Sequence, residues 1–491
     1  MKIKILSGIL LISGVSFFTS CHGDLNVIQP SQFTSLSMWT EESDATSAVN
    51  GAYTQFRSAF YGEMRSNWYE SGAVNDAFFN RVGTNVLLSG DAGTNWSSIY
   101  TTINSANLIL KHTPEISFTN EATRNEVMAN AYFLRAYCYF TLVRVFGDCP
   151  LLTSGFESEK QEDMYPSRTA ASEVYAQVET DIEEALRLMP ASSKLLHKAS
   201  PAAINMLRTE YYLWKAKRLG GGNAALSTAQ SSVDAVLKAG YALLPTFADI
   251  FNLNNEANSE LIWTLPYIVN ENVTPGTSPN FFAYYLAPNG DRTRLREAGY
   301  TEDEVPAGSH AQYVVPTQAY CDFLAEDARD TRTDVSVRVF EDKFLTEEVQ
   351  IKRMVVKFKG SFANDTRSFD SDVPVYRLAE AYLLKAEVEN ALGNTDAALQ
   401  NLNVVAKRAY GVDNYYTART QDAIDNAIIS EILKEFVAES KAWWAYLRFN
   451  KEFELIETLK GREGEKNVTL WPIAPACLNT NPNITQTEGY K

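Results

Sequence analysis

The sequence predicts a predominantly α-helical protein with helix pairs, a loop-rich half and a few short strands. Three observations lead to this prediction. Residues 126–152 form a long stretch that is apolar on nearly every helical face. Residues 204–240 and 376–409 each contain two helical segments joined by a glycine-containing turn. In residues 77–95 and roughly 264–315 the helical pattern breaks, and Gly, Asn, Pro and aromatic residues accumulate.

The N-terminal 21 residues have the features of an export signal. Two lysines precede an uncharged apolar run over residues 5–18, which is too short to cross a bilayer, since a spanning helix needs about 20 apolar residues. The run ends in FTSC, which is similar to a bacterial lipobox, where the cysteine is acylated and the chain is cut before it. We expect residues 1–20 to be a removed signal peptide and Cys21 to carry a lipid anchor. The alternative is an ordinary secretory signal with an incidental cysteine.

The charge of the chain excludes some partners. The formal net charge is −16, and it becomes −18 when Lys2 and Lys4 leave with the signal peptide. Such a charge disfavours nucleic acid and anionic lipid surfaces. No stretch after the signal is apolar enough to span a membrane.

The remaining cysteines and the histidines do not form a metal pattern. No CxxC motif or Cys/His cluster occurs, so we expect buried thiols with at most one bridge, and no metal or cofactor. The four remaining cysteines and the four histidines are Cys138, Cys149, Cys321, Cys477, His22, His112, His197 and His310.

Residues 126–152 are the strongest helical signal of the N-terminal half. A helix that is apolar all round is a central, buried helix. Gly147 is a plausible C-terminal cap and Pro150 prevents continuation. Just upstream, residues 96–114 place apolar and aromatic side chains at helical spacing, which predicts a neighbouring helix.

The segment 376–409 is the clearest supersecondary unit. A helix is predicted to about Leu392, then a GNTD turn, then a second helix with small residues where the two must approach closely. This is the tetratricopeptide pattern. The segment 204–240 is a weaker copy with GGGN at its turn, and the irregular spacing between them argues against a regular solenoid. Alternating or β-branched runs in residues 251–267 and 351–360 predict short strands.

Five stretches follow one another along the chain in a characteristic order. They are WSSIYTTINSANLIL, ANAYFLRAYCYFTLVRVFGDCPLL, GYALLPTFADIFNLNNEANSELIW, SDVPVYRLAEAYLLKAEVENALG and LWPIAPACLNTNPNITQTEGY. Together they resemble the SusD/RagB family of nutrient-capturing outer-membrane lipoproteins of Bacteroidetes. A sixth stretch, EFVAESKAWWAYLRFN, is similar to a family helix. It keeps Glu435, Glu439, Trp443 and Arg448. It has Ala442 and Ala445 where the family usually has Arg and Asp, so we expect it to lose an internal ion pair.

The resemblance implies a SusD-like fold in a single domain over residues 21–491, with an N-terminal region to about residue 240 and a C-terminal region from about residue 241. Tetratricopeptide-like helix pairs would form a scaffold, and the loop-rich half would carry the ligand. Family members bind oligosaccharides, or peptides in the RagB branch, and do no chemistry. They act as lids on a SusC-like TonB-dependent transporter in the outer membrane, at the cell surface.

Sugar binding needs flat apolar rings beside hydrogen-bonding side chains. Aromatic residues in loops have less reason to be packed in the core than those in helices. The predicted ligand residues are Phe78, Phe79, Asn80, Arg81, Phe281, Tyr284, Tyr285 and Asn289, with Tyr313 and its loop as the next region.

A glycoside hydrolase is the remote alternative. Sixty acidic residues bring some carboxylates close together by chance, and Glu431, Glu435 and Glu439 follow at four-residue spacing. A solvated or ion-paired helix face explains that spacing better. The hydrolase and nucleotide-binding motifs GxSxG, HExxH, GxGxxG and Walker A are absent from a suitable context.

Overall fold

The computed structural model describes residues 38–61, 75–77, 81, 83–91, 93–158, 164–268, 296–306, 314–342, 349–368 and 370–490. Helix accounts for 53% of the structure and strand for 8%. The prediction of a predominantly helical fold with few strands is therefore confirmed.

The described residues form six helices in the N-terminal half and eight in the C-terminal half. The first group is α1 Glu42–Tyr61, α2 Ser97–His112, α3 Glu121–Phe146, α4 Ala171–Leu188, α5 Pro201–Arg218 and α6 Gly222–Leu237. The second group is α7 Gln318–Leu324, α8 Thr333–Ser336, α9 Leu378–Ala391, α10 Thr395–Tyr410, α11 Gln421–Glu435, α12 Ala442–Phe449, α13 Glu452–Leu455 and α14 Pro475–Thr480. Short 3₁₀ turns occupy Thr113–Glu115, Ala248–Phe251, Leu253–Asn255 and Glu457–Leu459.

Helix α3 is the predicted central helix. It begins five residues before the predicted start, where the Asn120 side chain accepts a hydrogen bond from the Ala122 amide. It ends at Gly147, whose φ of 71° is one that glycine adopts without strain. Arg135 on this helix is buried and donates to both carboxylate oxygens of Asp181 at 2.8 and 2.6 Å. The helix is buried on almost every side because α2, α4 and α1 pack around it.

Both predicted helix pairs are present. The pair α9–α10 turns at Gly393, and the pair α5–α6 turns at residues 219–221. The two pairs contact each other through the fully buried carboxylate of Glu387 on α9, which accepts hydrogen bonds from Lys217 of α5 at 2.9 Å and from Arg448 of α12 at 3.1 Å. Arg448 thus forms an ion pair with Glu387 on another helix. Ala442 and Ala445 contribute no ion pair.

The strands form four two-stranded antiparallel ladders among the described residues. They are β1 Asn75–Ala77 with β3 Val314–Pro316, β2 Leu261–Leu265 with β8 Val373–Arg377, β4 Val337–Asp342 with β5 Gln350–Val355, and β6 Ser361–Ala363 with β7 Thr366–Ser368. The strands expected in residues 251–267 and 351–360 are β2 and β5. Strands β2 and β8 are buried along their whole length, so this ladder lies inside the core, where β8 leads directly into α9.

The stretch EFVAESKAWWAYLRFN is not one helix, contrary to the sequence interpretation. Helix α11 ends at Glu435, α12 begins at Ala442, and Ala438 and Ser440 between them have φ values of 60° and 62°. Two buried cations explain the break. The carbonyl oxygen of Glu435 accepts from Lys357 at 2.9 Å and from Arg377 at 2.7 Å. A continuing helix would have used this carbonyl in its own ladder.

The three glutamates at four-residue spacing therefore do not form a solvated helix face. Glu431 and Glu435 lie on α11, whereas Glu439 lies beyond its end, and all three are buried. They belong to a group we call the buried ionic cluster, whose side chains are each 5% exposed or less. The cluster comprises Glu260, Asp330, Arg332, Lys357, Arg377, Arg408, Glu431, Glu435 and Glu439.

Charge pairing inside this cluster overcomes desolvation for the carboxylates Glu435 and Glu439, but not for the ammonium group of Lys357. Burial would raise the pKa of Glu435, but Arg408, Arg377 and Arg332 hold it well below its ordinary value. Burial lowers the pKa of Lys357 to about 8, although Glu439 acts in the opposite direction. The cluster joins β8, α10 and α11 to the segment around α8, so its role is to hold the C-terminal half together.

The four cysteines of the body are buried, and none is bonded to another in a disulfide. Within the described part of the chain no group of three or more metal-ligating side chains occurs. No helix there has the length and apolarity needed to cross a bilayer.

Candidate functional site

Of the predicted ligand residues, Arg81 lies within the described structure. The anchor residue Cys21 and the residues Phe78, Phe79, Asn80, Phe281, Tyr284, Tyr285, Asn289 and Tyr313 lie outside the described residues. Arg81 is exposed and forms an ion pair of 2.6 Å with Asp91.

Two of the predicted loop regions start from the same end of one ladder. Strand β1 pairs antiparallel with β3 so that Ala77 faces Val314. Phe78 follows Ala77 in the chain, and Tyr313 precedes Val314. The backbone pairing therefore brings together the point where the chain enters the first region, after residue 77, and the point where it leaves the second, before residue 314. Sequence spacing alone does not reveal this relation.

A cleft of about 730 Å³ opens next to Arg81. We call it the loop cleft. One wall is the loop of residues 81–91, and the other is formed by residues 462–490. The site is therefore built from the segment predicted to carry ligand and from the C-terminal stretch that resembles the family ending.

The loop wall is held by its own hydrogen bonds. The Asp91 carboxylate accepts the Leu88 amide at 2.8 Å and closes a turn. Thr94, which is buried, donates its hydroxyl to the carbonyl oxygens of Ser89 and Asp91 at 2.8 and 2.7 Å. Irregular backbone is usually mobile unless such contacts fix it, so these bonds give the loop a defined shape.

The C-terminal wall is attached to the same loop and to the central helix. Trp471 donates its amide to the Val145 carbonyl at 2.8 Å, and Ala474 donates to the Thr94 carbonyl at 3.1 Å. Gly489 has a φ of 101°, and a Cβ there would stand 2.6 Å from the Lys466 carbonyl oxygen. The chain end can approach residue 466 this closely only with glycine, which explains the GY ending in physical terms.

The lining combines apolar surface with paired charges. Val86 and Leu88 are 52% and 51% exposed, so they present aliphatic groups to the opening. The ring of Tyr490 is half-buried, and its hydroxyl donates to the Leu470 carbonyl at 2.6 Å. Burial raises the pKa of Tyr490 to about 12, so it stays a neutral donor. Such a surface can contact the apolar faces and hydroxyl edges of a sugar.

A second cleft, of about 450 Å³, lies along α10 and residues 413–419. Its aromatic side chain, Tyr416, is half-buried and donates to Glu431 of the buried ionic cluster at 2.8 Å. Its walls carry the ion pairs Lys407–Asp413 and Arg419–Asp396. No apolar side chain in its described lining is as exposed as Val86 and Leu88, so this cleft offers a sugar less apolar contact than the loop cleft.

Sequence reasoning singled out the segment that forms the loop wall, but it missed Val86 and Leu88 there and the whole C-terminal wall. The missed residues of that second wall are Arg462, Glu465, Lys466 and Tyr490. The one usable signal was Gly489 followed by a tyrosine, because a glycine near a chain end often marks a close backbone approach.

Two family models match the chain. The model described as "Starch-binding associating with outer membrane" matches residues 30–212, and the model of the SusD family matches residues 336–490. Together they cover more than half of the sequence. The chain belongs to the SusD/RagB family.

Individual proteins are similar to this chain over almost its whole length. The SusD-like protein P38 of Formosa agariphila is 25% identical over 517 aligned positions, covering 98% of each chain. Among solved structures, B. fragilis NanU is similar with a TM-score of 0.79 and 24% identity, covering 94% of this chain and all of the other. A laminarin-binding SusD-like protein is similar with a TM-score of 0.74 and 21% identity, covering 92% and 100%. These two structural likenesses show that the fold is SusD-like.

Proposed function

We propose that this protein captures oligosaccharides at the bacterial surface and delivers them to a SusC-like TonB-dependent transporter. The observation that carries the proposal is membership of a family whose N-terminal model is described as starch-binding and outer-membrane-associated. The laminarin-binding neighbour supports glycans as the ligand class. The loop cleft, which presents aliphatic and polar groups, is the proposed binding site.

The electrostatics of the loop cleft and of the buried ionic cluster support binding without catalysis there. A glycosidase needs one carboxyl whose pKa is raised so that it can act as an acid. In the loop cleft, hydrogen bonds from Arg462 lower the pKa of Glu465. The glutamates of the buried ionic cluster are held by arginine and lysine inside the core. We therefore propose a binding protein that leaves its ligand intact.

The direct test is calorimetry of the purified full-length protein with starch-derived and laminarin oligosaccharides, with a peptide library in parallel. We expect modest affinity for at least one oligosaccharide and no new reducing ends after long incubation. Release of reducing ends would favour the hydrolase. Peptide binding without glycan binding would favour RagB-like peptide capture.

The anchor is tested separately. Cys21→Ala should move the protein from the membrane fraction to the released fraction, because we propose that the acylated Cys21 holds it. Cys477→Ala removes a buried thiol of the body and should leave the protein in the membrane fraction. Retention of the Cys21→Ala protein after a high-salt wash would contradict lipid anchoring.

The transporter is tested by purification from the native membrane. A tag on this protein should recover a SusC-like barrel, and the yield should survive glycan removal. Recovery of the tagged protein alone, under conditions that preserve other membrane complexes, would contradict the delivery step.

A further inference from the structure

The charges around the loop cleft are paired with one another. Three basic side chains line or border it, and each forms an ion pair with an acidic side chain of the same walls. The pairs are Arg81–Asp91, Arg462–Glu465 and Lys466–Glu488. The described lining therefore offers no uncompensated positive charge to a ligand.

The pair Arg81–Asp91 is fixed by the loop itself. The Asp91 side chain is only 12% exposed, whereas that of Arg81 is 49% exposed. Asp91 also accepts the Leu88 amide. An anionic ligand at Arg81 would have to compete with a carboxylate that closes the turn of its own loop, and it would approach that carboxylate's negative charge.

All three guanidinium nitrogens of Arg462 donate hydrogen bonds within the protein. Its Nε and Nη2 donate to Glu465 at 2.9 and 2.8 Å, and Nη1 donates to the carbonyl oxygens of Asn85 and Thr458 at 2.9 and 3.1 Å. This arginine therefore joins the two walls. In the third pair, Lys466–Glu488, both side chains are exposed. This pair is therefore the one most easily altered by substitution.

The sequence stretches that contain the predicted ligand residues outside the described structure carry no excess of positive charge. Residues 62–80 contain three acidic residues and one basic residue, and residues 269–295 contain two of each. Residues 307–313 contain a histidine and no other ionisable group except a tyrosine. With a whole-chain charge of −16, the long-range field also repels anions.

We propose that the loop cleft selects uncharged oligosaccharides and rejects those that bear uronate, sialate or sulfate groups. This rests on the proposed glycan capture and narrows its substrate class. Sugar hydroxyls can share the ion pairs without breaking them, since a carboxylate has more acceptor positions than one arginine uses. Val86 and Leu88 can contact the apolar face of a sugar ring. A bound anion would need a cation that the lining has already neutralised.

The first test compares uncharged and acidic oligosaccharides of similar length on the full-length protein. The uncharged probes are maltoheptaose, laminariheptaose and cellohexaose, and the acidic probes are oligogalacturonate, alginate and sulfated oligosaccharides. We expect an uncharged series to bind at least about tenfold tighter than any acidic one. Its affinity should change by no more than about twofold between about 50 mM and about 500 mM salt.

The second test removes one compensating carboxylate. Glu488→Gln leaves Lys466 without its ion-pair partner at the cleft and should raise affinity for the acidic oligosaccharides by about threefold at low salt. The matched control is Glu457→Gln, which breaks the exposed pair Lys460–Glu457 outside the cleft lining and should leave affinity for the acidic probes unchanged.

The outcomes separate the two proposals. Tighter binding of an acidic series, with affinity that falls as salt rises, would overturn charge selection while glycan capture stands. An equal response of Glu488→Gln and Glu457→Gln would also overturn it, because the cleft would then have no special charge balance. Binding of neither series would contradict glycan capture itself, and charge selection with it.

Discussion

The buried ionic cluster and the loop cleft are built from the same residue types, yet their surroundings give them different roles. In the cluster, the side chains of Arg377 and Glu435 are 1% and 0% exposed. In the cleft, Arg81 pairs with Asp91 at the same 2.6 Å, but half of its side chain faces solvent. The two ion pairs therefore have the same distance and differ in how far water reaches them.

This difference decides what each pair can do. An exposed pair contributes about 0–1 kcal/mol, because water solvates both partners when they separate. A buried charge that loses its partner has no such substitute. The cluster therefore fixes the fold of the C-terminal half, whereas the partly exposed pairs of the cleft remain accessible to a ligand.

The largest expected effect follows from breaking the cluster. Arg377→Met leaves Glu435 and Glu439 without a shared partner and should cost about 3–5 kcal/mol in the free energy of unfolding. Urea unfolding followed by circular dichroism measures it. Lys460→Met, which breaks an exposed pair with Glu457, should stay within about 1 kcal/mol of the parent. If both variants changed equally, burial would not be the deciding factor.

The second effect concerns the aromatic rings predicted to contact the ligand. Replacing Phe78 and Phe79 with Ala, or Tyr284 and Tyr285 with Ala, should weaken oligosaccharide binding by about tenfold, since stacking on the rings is lost. Thermal stability should be nearly unchanged. A loss of about 3–5 kcal/mol per ring would instead place these rings in the core. Unchanged binding in both stable variants would direct the search to Tyr313.

The third prediction uses a partly buried carboxyl that lacks an arginine fork. Burial raises the pKa of Asp372 to about 6, against the hydrogen bonds it accepts from the Tyr267 amide and the Thr264 hydroxyl. Its folded pKa lies above its unfolded value, so the folded state binds more protons between about pH 4 and pH 6. Ionisation therefore destabilises the fold as pH rises through this window, and the cost is fully present above about pH 6.

Asp372→Asn removes that cost. It should raise the free energy of unfolding by about 1–2 kcal/mol at pH 8, after allowance for partial exposure, and the gain should disappear near pH 4. Urea unfolding at several pH values measures the trend. A gain that grows toward low pH would show that the sign of the pKa shift is wrong.

Sequence reasoning succeeded where local signals and tertiary contacts agree. Gly147 marked the end of α3, and the turn at Gly393 marked the pair α9–α10, because glycine there has a positive φ that few other residues adopt. It failed at residues 436–441. Ala438 and Ser440 carry no breaking signal, and the break depends on Lys357 and Arg377, which are distant in the sequence.

The candidate site shows the same division. Arg81 and its loop could be predicted from composition, since irregular aromatic segments often carry ligands. The opposite wall could not, because Arg462 and Lys466 reach the loop only through the fold. The register of β1 with β3, which brings residues 77 and 314 together, likewise has no local sequence signal.

The smallest expected effect tests whether the ligand enters the cleft or only contacts the rings. Arg81→Gln and the control Arg187→Gln, whose pair with Glu184 lies on α4, should each change stability by less than about 1 kcal/mol. Arg81→Gln alone should weaken binding of an uncharged oligosaccharide, by about threefold, since one hydrogen bond to a sugar hydroxyl is lost. Calorimetry resolves such a change. An equal loss in Arg187→Gln would indicate a general charge effect. If Arg81→Gln bound normally while the Phe78 and Phe79 variant did not, the ligand would contact the rings outside the cleft.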